Sequence, residues 1–140
     1  MEYLNGFEFR KVENGYEING YWGKERECLT LPSEFKNKPI IGIGENAFIF
    51  DNIKKIILSD GIEYIKEFAF ASCDCEEVVL PNSLKIIAPF AFDNCNLKKI
   101  NLPEGVREIG DMAFANNDEL NLENIISNYR KVGSCLFIEN

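Results

Sequence analysis

The dipeptide Ala-Phe recurs at Ala47-Phe48, Ala69-Phe70, Ala91-Phe92 and Ala113-Phe114, four times at a step of 22 residues. Neighbouring columns keep the same register: Ile43, Ile65, Ile87 and Ile109; Ile40, Ile62, Leu84 and Val106; Ile56, Val78 and Ile100; Leu58, Leu80 and Leu102; Ile53, Cys75 and Leu97. A fixed interval of this length marks a chain that winds into stacked coils. One such coil cannot bury its own apolar face, so each is stabilised by its neighbours and equivalent side chains are superposed.

Within the unit, Ile53-Lys54-Lys55-Ile56-Ile57-Leu58 ends in two apolar residues alternating about one outward residue, as a short strand requires. Turns follow at Asp60-Gly61, Asn82-Ser83 and Glu104-Gly105, with Pro81 and Pro103 just before two of them. Two further inward positions come next, and the Ala-Phe pair is expected to bring the chain back as a short helical or 3₁₀ turn. The expected fold class is therefore α/β: a right-handed superhelical solenoid with short parallel strands and a buried column of four Phe rings. About four coils occupy 27–117 of one domain spanning 1–140.

Both ends depart from the repeat, as the ends of a stack must if apolar surface is to stay dry. Phe7-Glu8-Phe9 and Tyr16-Glu17-Ile18 alternate about Glu13-Asn14-Gly15, and Asn-Gly is a strong hairpin signal. This predicts an N-terminal β-hairpin cap within 1–26 and a first strand at Glu27–Leu31. The step from Leu31 to Leu58 is 27 residues instead of 22, which predicts a bulging loop near Lys36–Pro39. Residues 118–140 are expected to form a C-terminal cap, partly helical.

The pattern Leu-x-x-Ile-x-Leu-Pro-x-x-Leu-x-x-Ile-x-x-x-Ala-Phe-x-x-Cys is cleanest from Leu97 through Phe114 and from Cys75 through Cys95. It resembles the BspA-type leucine-rich-repeat family, known from bacterial and protist surface or secreted proteins. Gly15 through Tyr21, Leu29-Thr30-Leu31-Pro32 and Pro39 through Gly44 also resemble the opening of such domains. The resemblance covers Phe7 to Asn117 and implies a leucine-rich-repeat solenoid and a bacterial type of protein. Ser59, where Pro is usual, and the short array depart from the pattern.

Composition bounds the function. The net charge is −8, and the basic pairs Lys54-Lys55 and Lys98-Lys99 stand among acids, so a nucleic-acid partner is not expected. No apolar run reaches the roughly 18 residues of a membrane span, so no membrane insertion is expected. Residues Met1 to Arg10 lack the basic start and apolar run of a secretion signal. A cytoplasmic location is expected, with a secreted or cell-surface one as the alternative if the chain is a fragment.

Histidine is absent, which removes the commonest general base, and no Gly-rich phosphate loop occurs. Glu76-Glu77 and Asp118-Glu119 read as solvated charges. No catalytic residue and no cofactor is expected. Cys73-x-Cys75 invites a metal, but Cys75 is inward by register and no His completes a four-ligand set, so no metal site is expected. Cys73 shares its column with Asp51, Cys95 and Asn117, residue types that satisfy backbone groups at a coil corner. Cys73 and Cys95 should also lie close enough for a disulfide under oxidation.

Binding has better material. The expected concave strand face presents Lys55, Ile57, Glu77, Val79, Lys99 and Asn101. Its charges also pair with one another along the column, so it reads equally as a self-satisfied surface. A face about 10 by 20 Å is far below the roughly 800 Å² per partner of a standard interface. A partner must also touch flanks or caps, bind weakly, or be a second copy. Phe68, Phe90 and Met112 precede three of the alanines, with Asn46 at that place in the first coil. They form either an exposed apolar ridge, which would mark a contact site, or a row folded over its neighbours. The expected function is a non-catalytic protein-interaction module with a protein partner or a homo-oligomer. The alternative is an adhesive surface unit binding host protein or glycan.

Overall fold

The computed structural model describes residues 1–121. Twelve short strands follow in order: β1 (Glu2–Leu4), β2 (Phe7–Val12), β3 (Gly15–Tyr21), β4 (Leu29–Thr30), β5 (Glu34–Phe35), β6 (Lys38–Ile43), β7 (Lys55–Ile57), β8 (Tyr64–Ile65), β9 (Glu77–Val79), β10 (Ile86–Ile87), β11 (Lys99–Ile100) and β12 (Glu108–Ile109). Each coil has three sides. Strands β4, β7, β9 and β11 stack as one parallel sheet, and β3, β6, β8, β10 and β12 as a second. From β6 and β7 onward paired residues are 22 apart from coil to coil, as in Ile56↔Val78 and Ile87↔Ile109, so the sequence columns are physical rows; the first step is longer, Leu29↔Ile56 being 27 apart.

The third side corrects the α/β expectation. Among the described residues there is no helix, and the Ala-Phe segments are ribbons of successive turns. The residue before each Ala sits at positive φ: Asn46 61°, Phe68 58°, Phe90 60° and Met112 59°. That conformation breaks a right-handed helix. Amides then alternate in their use. Ala69, Ala71 and Cys73 donate to the carbonyls three residues back, at 3.1–3.2 Å. Phe70 and Ser72 between them donate to Ala91 and Asp93 of the next coil, at 2.8 and 2.9 Å. Every other backbone group is thus spent on stacking, which a helix would have kept internal.

The N-terminal expectation also changes. Strands β2 and β3 pair antiparallel with Val12 opposite Gly15. However, β1 adds a third strand on the outside, and β3 itself joins the parallel ladder through β6. The segment is thus the first rungs of the second sheet, not a hairpin laid across its end. The extra residues near Lys36–Pro39 form a tight β5–β6 turn in which Lys36 and Asn37 have φ of 50° and 63°. The C-terminal cap expected from residue 118 lies outside the described residues from 122 onward.

The core is one continuous cluster. Phe48, Phe70, Phe92 and Phe114 are buried in near-parallel stacks with centroids 5.1, 5.0 and 5.4 Å apart. That spacing is close to the separation of adjacent strands, so the backbone stacking sets it.

Candidate functional site

The strand face is assembled as the register requires: Lys55, Glu77 and Lys99 are adjacent, as are Ile57 and Val79. Lys55 Nζ lies 3.7 Å from Glu77 Oε1. The Asn101 amide accepts from Leu80 N–H at 2.9 Å and donates to Leu80 C=O at 3.0 Å, which extends the ladder where β11 has stopped. A shallow depression of about 270 Å³ lies between Glu77–Val79 and Lys99–Asn101. On this face Lys55, Glu77 and Asn101 are engaged, Lys99 is exposed with no ion pair among the described residues, and Ile57 and Val79 are half-buried.

The ribbon side is different. Phe68 and Phe90 stack with centroids 5.1 Å apart and planes within 6°, and Met112 continues the row, half-buried. Phe68 remains 37% exposed, and Phe50, at a neighbouring corner, 73%. The row therefore folds over its neighbours and still shows an apolar edge to solvent. Its backbone is unusual, because bulky residues at positive φ are uncommon and cost roughly 1–2 kcal/mol each. Asn46 fills the same place in the first coil with the residue type that tolerates it best. The turn does not require an aromatic. Exposed Glu45, Glu67 and Asp111 border the row on one side.

Beyond the ribbon, Ser72, Asp74, Asn94, Asn96, Asn116 and Asp118 line a polar groove of about 370 Å³. It is cross-linked from coil to coil, with Asn96 Nδ2 donating to Asp74 Oδ1 at 3.0 Å and Asn94 Nδ2 to Ser72 Oγ at 3.4 Å. Among the described residues, no group of three or more His, Cys, Asp or Glu is arranged to hold a metal ion.

Cys73, Cys75 and Cys95 are buried free thiols. Cys75 Sγ donates to Glu77 C=O at 3.2 Å. Hydrogen bonding to Cys73, followed by burial, pushes the Cys75 and Cys95 thiols above their usual range. In the same corner column Asn117 satisfies five backbone groups. Its Oδ1 accepts from Cys95 and Leu97, and its Nδ2 donates to Phe92, Phe114 and Ala115. Asp51, at that place in the first coil, has a buried Oδ2 with no partner. Burial, then the nearby Cys73, raises its carboxyl to about 6.

One cluster carries no mark in the repeat. Glu17 on β3 is 1% exposed, on the outer side of the second sheet. Its Oε1 accepts from Arg10 Nη2 at 2.9 Å; Oε2 accepts from Tyr64 O–H and Lys66 Nζ, both at 2.7 Å. Burial pushes the carboxyl up, but the bonds from Lys66, Tyr64 and Arg10 outweigh it and hold Glu17 below its ordinary value. Gly42 makes the arrangement possible, since a Cβ there would run into the Tyr64 ring crossing β6. With every carboxylate oxygen engaged, the cluster locks the N-terminal strands to the first coils and leaves no free acid or base.

Six copies of the BspA type leucine rich repeat region match residues 41–140. The chain belongs to this family. Solved structures agree on the fold. A T. pallidum leucine rich repeat protein is 25% identical with a TM-score of 0.63, covering 85% of this chain and 68% of its own. A Bacteroides ovatus leucine-rich repeat protein is 21% identical, TM-score 0.71, over 86% of this chain and 40% of its own. A leucine rich cell surface protein from Faecalibacterium prausnitzii is 20% identical, TM-score 0.66, over 86% and 41%. This chain spans less than half the length of the last two. No curated protein matches it. Among the described residues, no helix is long and apolar enough to cross a membrane.

Proposed function

We propose that this repeat domain is a non-catalytic protein-interaction module whose contact surface is the Phe68–Phe90–Met112 ridge with its flanks. The observation that carries the reading is a row of partly exposed apolar side chains, Phe68 the most open, held at positive φ where Asn46 in the first coil shows that Asn suffices. Conformational cost without a packing need belongs to contact surfaces. The strand face of Lys55, Ile57, Glu77, Val79, Lys99 and Asn101 is secondary, because three of its four polar side chains, Lys55, Glu77 and Asn101, already have partners. The non-catalytic part rests on chemistry: the sequence has no histidine, and its most buried carboxylate, Glu17, is fully paired.

Affinity capture from the source cell tests this, with bound proteins identified by mass spectrometry. A protein retained by the wild type and by Ile57→Ser/Val79→Ser, but lost from Phe68→Asn/Phe90→Asn, is the expected result. Equal retention by the ridge variant, or no retained protein at all, contradicts it.

A second reading, a unit of a cell-surface adhesive protein, is favoured by the F. prausnitzii relative, which is described as a cell surface protein. A secretion signal or wall anchor in the full reading frame supports it over a cytoplasmic role, and the lack of both opposes it.

A further inference from the structure

We propose that the ridge takes a basic amphipathic helix from a partner polypeptide, a proposal that rests on the ridge being the contact surface. Three observations lead there. First, Phe68 and Phe90 are spaced 5.1 Å apart along the stack, with Met112 one coil further. That step nearly equals the pitch of an α-helix, about 5.4 Å. A helix lying along the stack therefore sets one apolar side chain per turn against each coil, the i, i+3/i+4, i+7 mode of helix docking.

Second, the border has one sign. Glu67 and Asp111 stand beside Phe68 and Met112 in the column next to the ridge, with Pro89 between them and Glu45 beside Asn46; all three carboxylates are exposed and form no ion pair among the described residues. The Asp93 carboxylate, on the other side of Phe90, accepts from Asn116 at 2.9 Å and forms no ion pair among the described residues. The nearest cation in sequence, Lys66, is turned to Glu17 at 2.7 Å. Third, the whole chain carries −8, so its field adds to the local attraction for a cationic partner and repels an anionic one.

The probe is a synthetic peptide of about four helical turns made only of Leu and Lys, with Leu at helical spacing. Two controls accompany it: the same pattern with Glu for Lys, and a Lys-only peptide. Binding is followed by fluorescence anisotropy, and circular dichroism shows that each protein variant is folded. The expected result is binding of the Leu/Lys peptide at least tenfold tighter than either control, reduced at least tenfold in Phe68→Asn/Phe90→Asn and in Glu67→Gln/Asp111→Asn. Equal binding of the Leu/Lys and Leu/Glu peptides, both lost in the Phe variant, overturns the basic partner and leaves the ridge standing. Unchanged binding in the Phe variant overturns the ridge as well. No binding of the Leu/Lys peptide overturns the proposal.

Discussion

Phe68 and Phe70 are two residues apart, and their substitution should differ sharply in cost. Phe70 is fully buried and stacked on both sides at 5.1 and 5.0 Å. Phe70→Ala removes the ring and leaves a cavity that a stack fixed by backbone hydrogen bonds cannot close, at a cost of about 3–5 kcal/mol. Against a total of roughly 5–15 kcal/mol, the melting temperature should fall on the order of 10–20 °C. Phe68→Asn loses a partly exposed stack, about 0.5–1.5 kcal/mol, and about 1 kcal/mol of partial burial. It also relieves a bulky residue at a φ of 58°, worth roughly 1–2 kcal/mol. The net change should lie within about 1 kcal/mol. Urea denaturation followed by circular dichroism measures both. A Phe68→Asn cost equal to that of Phe70→Ala would show that the ridge is core, and would refute the argument that it is available to a partner.

Asn117→Ala should cost about 3 kcal/mol, because it strips buried backbone groups of a side-chain partner; denaturant midpoints read this directly. Glu17 contributes stability above about pH 4.5, its ordinary value, and this is lost as pH falls through its depressed folded-state pKa. Glu17→Gln should therefore destabilise at pH 7 and flatten the acid limb of a stability–pH curve. Asp51 runs the other way: its contribution is present below pH 3.8 and lost as pH rises through about 6. Asp51→Asn should stabilise by about 1 kcal/mol at pH 8, with the gain vanishing near pH 4. Of the four cysteines described, Cys28 alone is exposed. Peptide mapping after brief native maleimide treatment should find it labelled well ahead of Cys73, Cys75 and Cys95.

Much of the fold was legible because the core has one period. Any column apolar in three coils must be superposed, and the Phe spine, the strand register and the inward Cys75 follow from that alone. The turn ribbon was not legible. Ala-Phe looks helical by composition, and only the positive φ before each Ala, hinted at by Asn46, shows otherwise. That same Asn was the available sign that Phe68, Phe90 and Met112 sit where the backbone favours another residue. The Glu17 cluster was invisible for a different reason. Arg10 on β2, Glu17 on β3 and the Tyr64–Lys66 segment at β8 come from three rungs, and their meeting depends on Gly42 leaving room for a ring. Pairwise spacing in the sequence carries no trace of such an arrangement.

Photo-cross-linking tests the contact surface most directly. Phe90→p-benzoylphenylalanine and Val79→p-benzoylphenylalanine place the same reactive group on the ribbon side and on the strand face. Adducts to one protein from position 90, with none from position 79, are predicted. Adducts from position 79 with none from position 90 would contradict the assignment of the ridge.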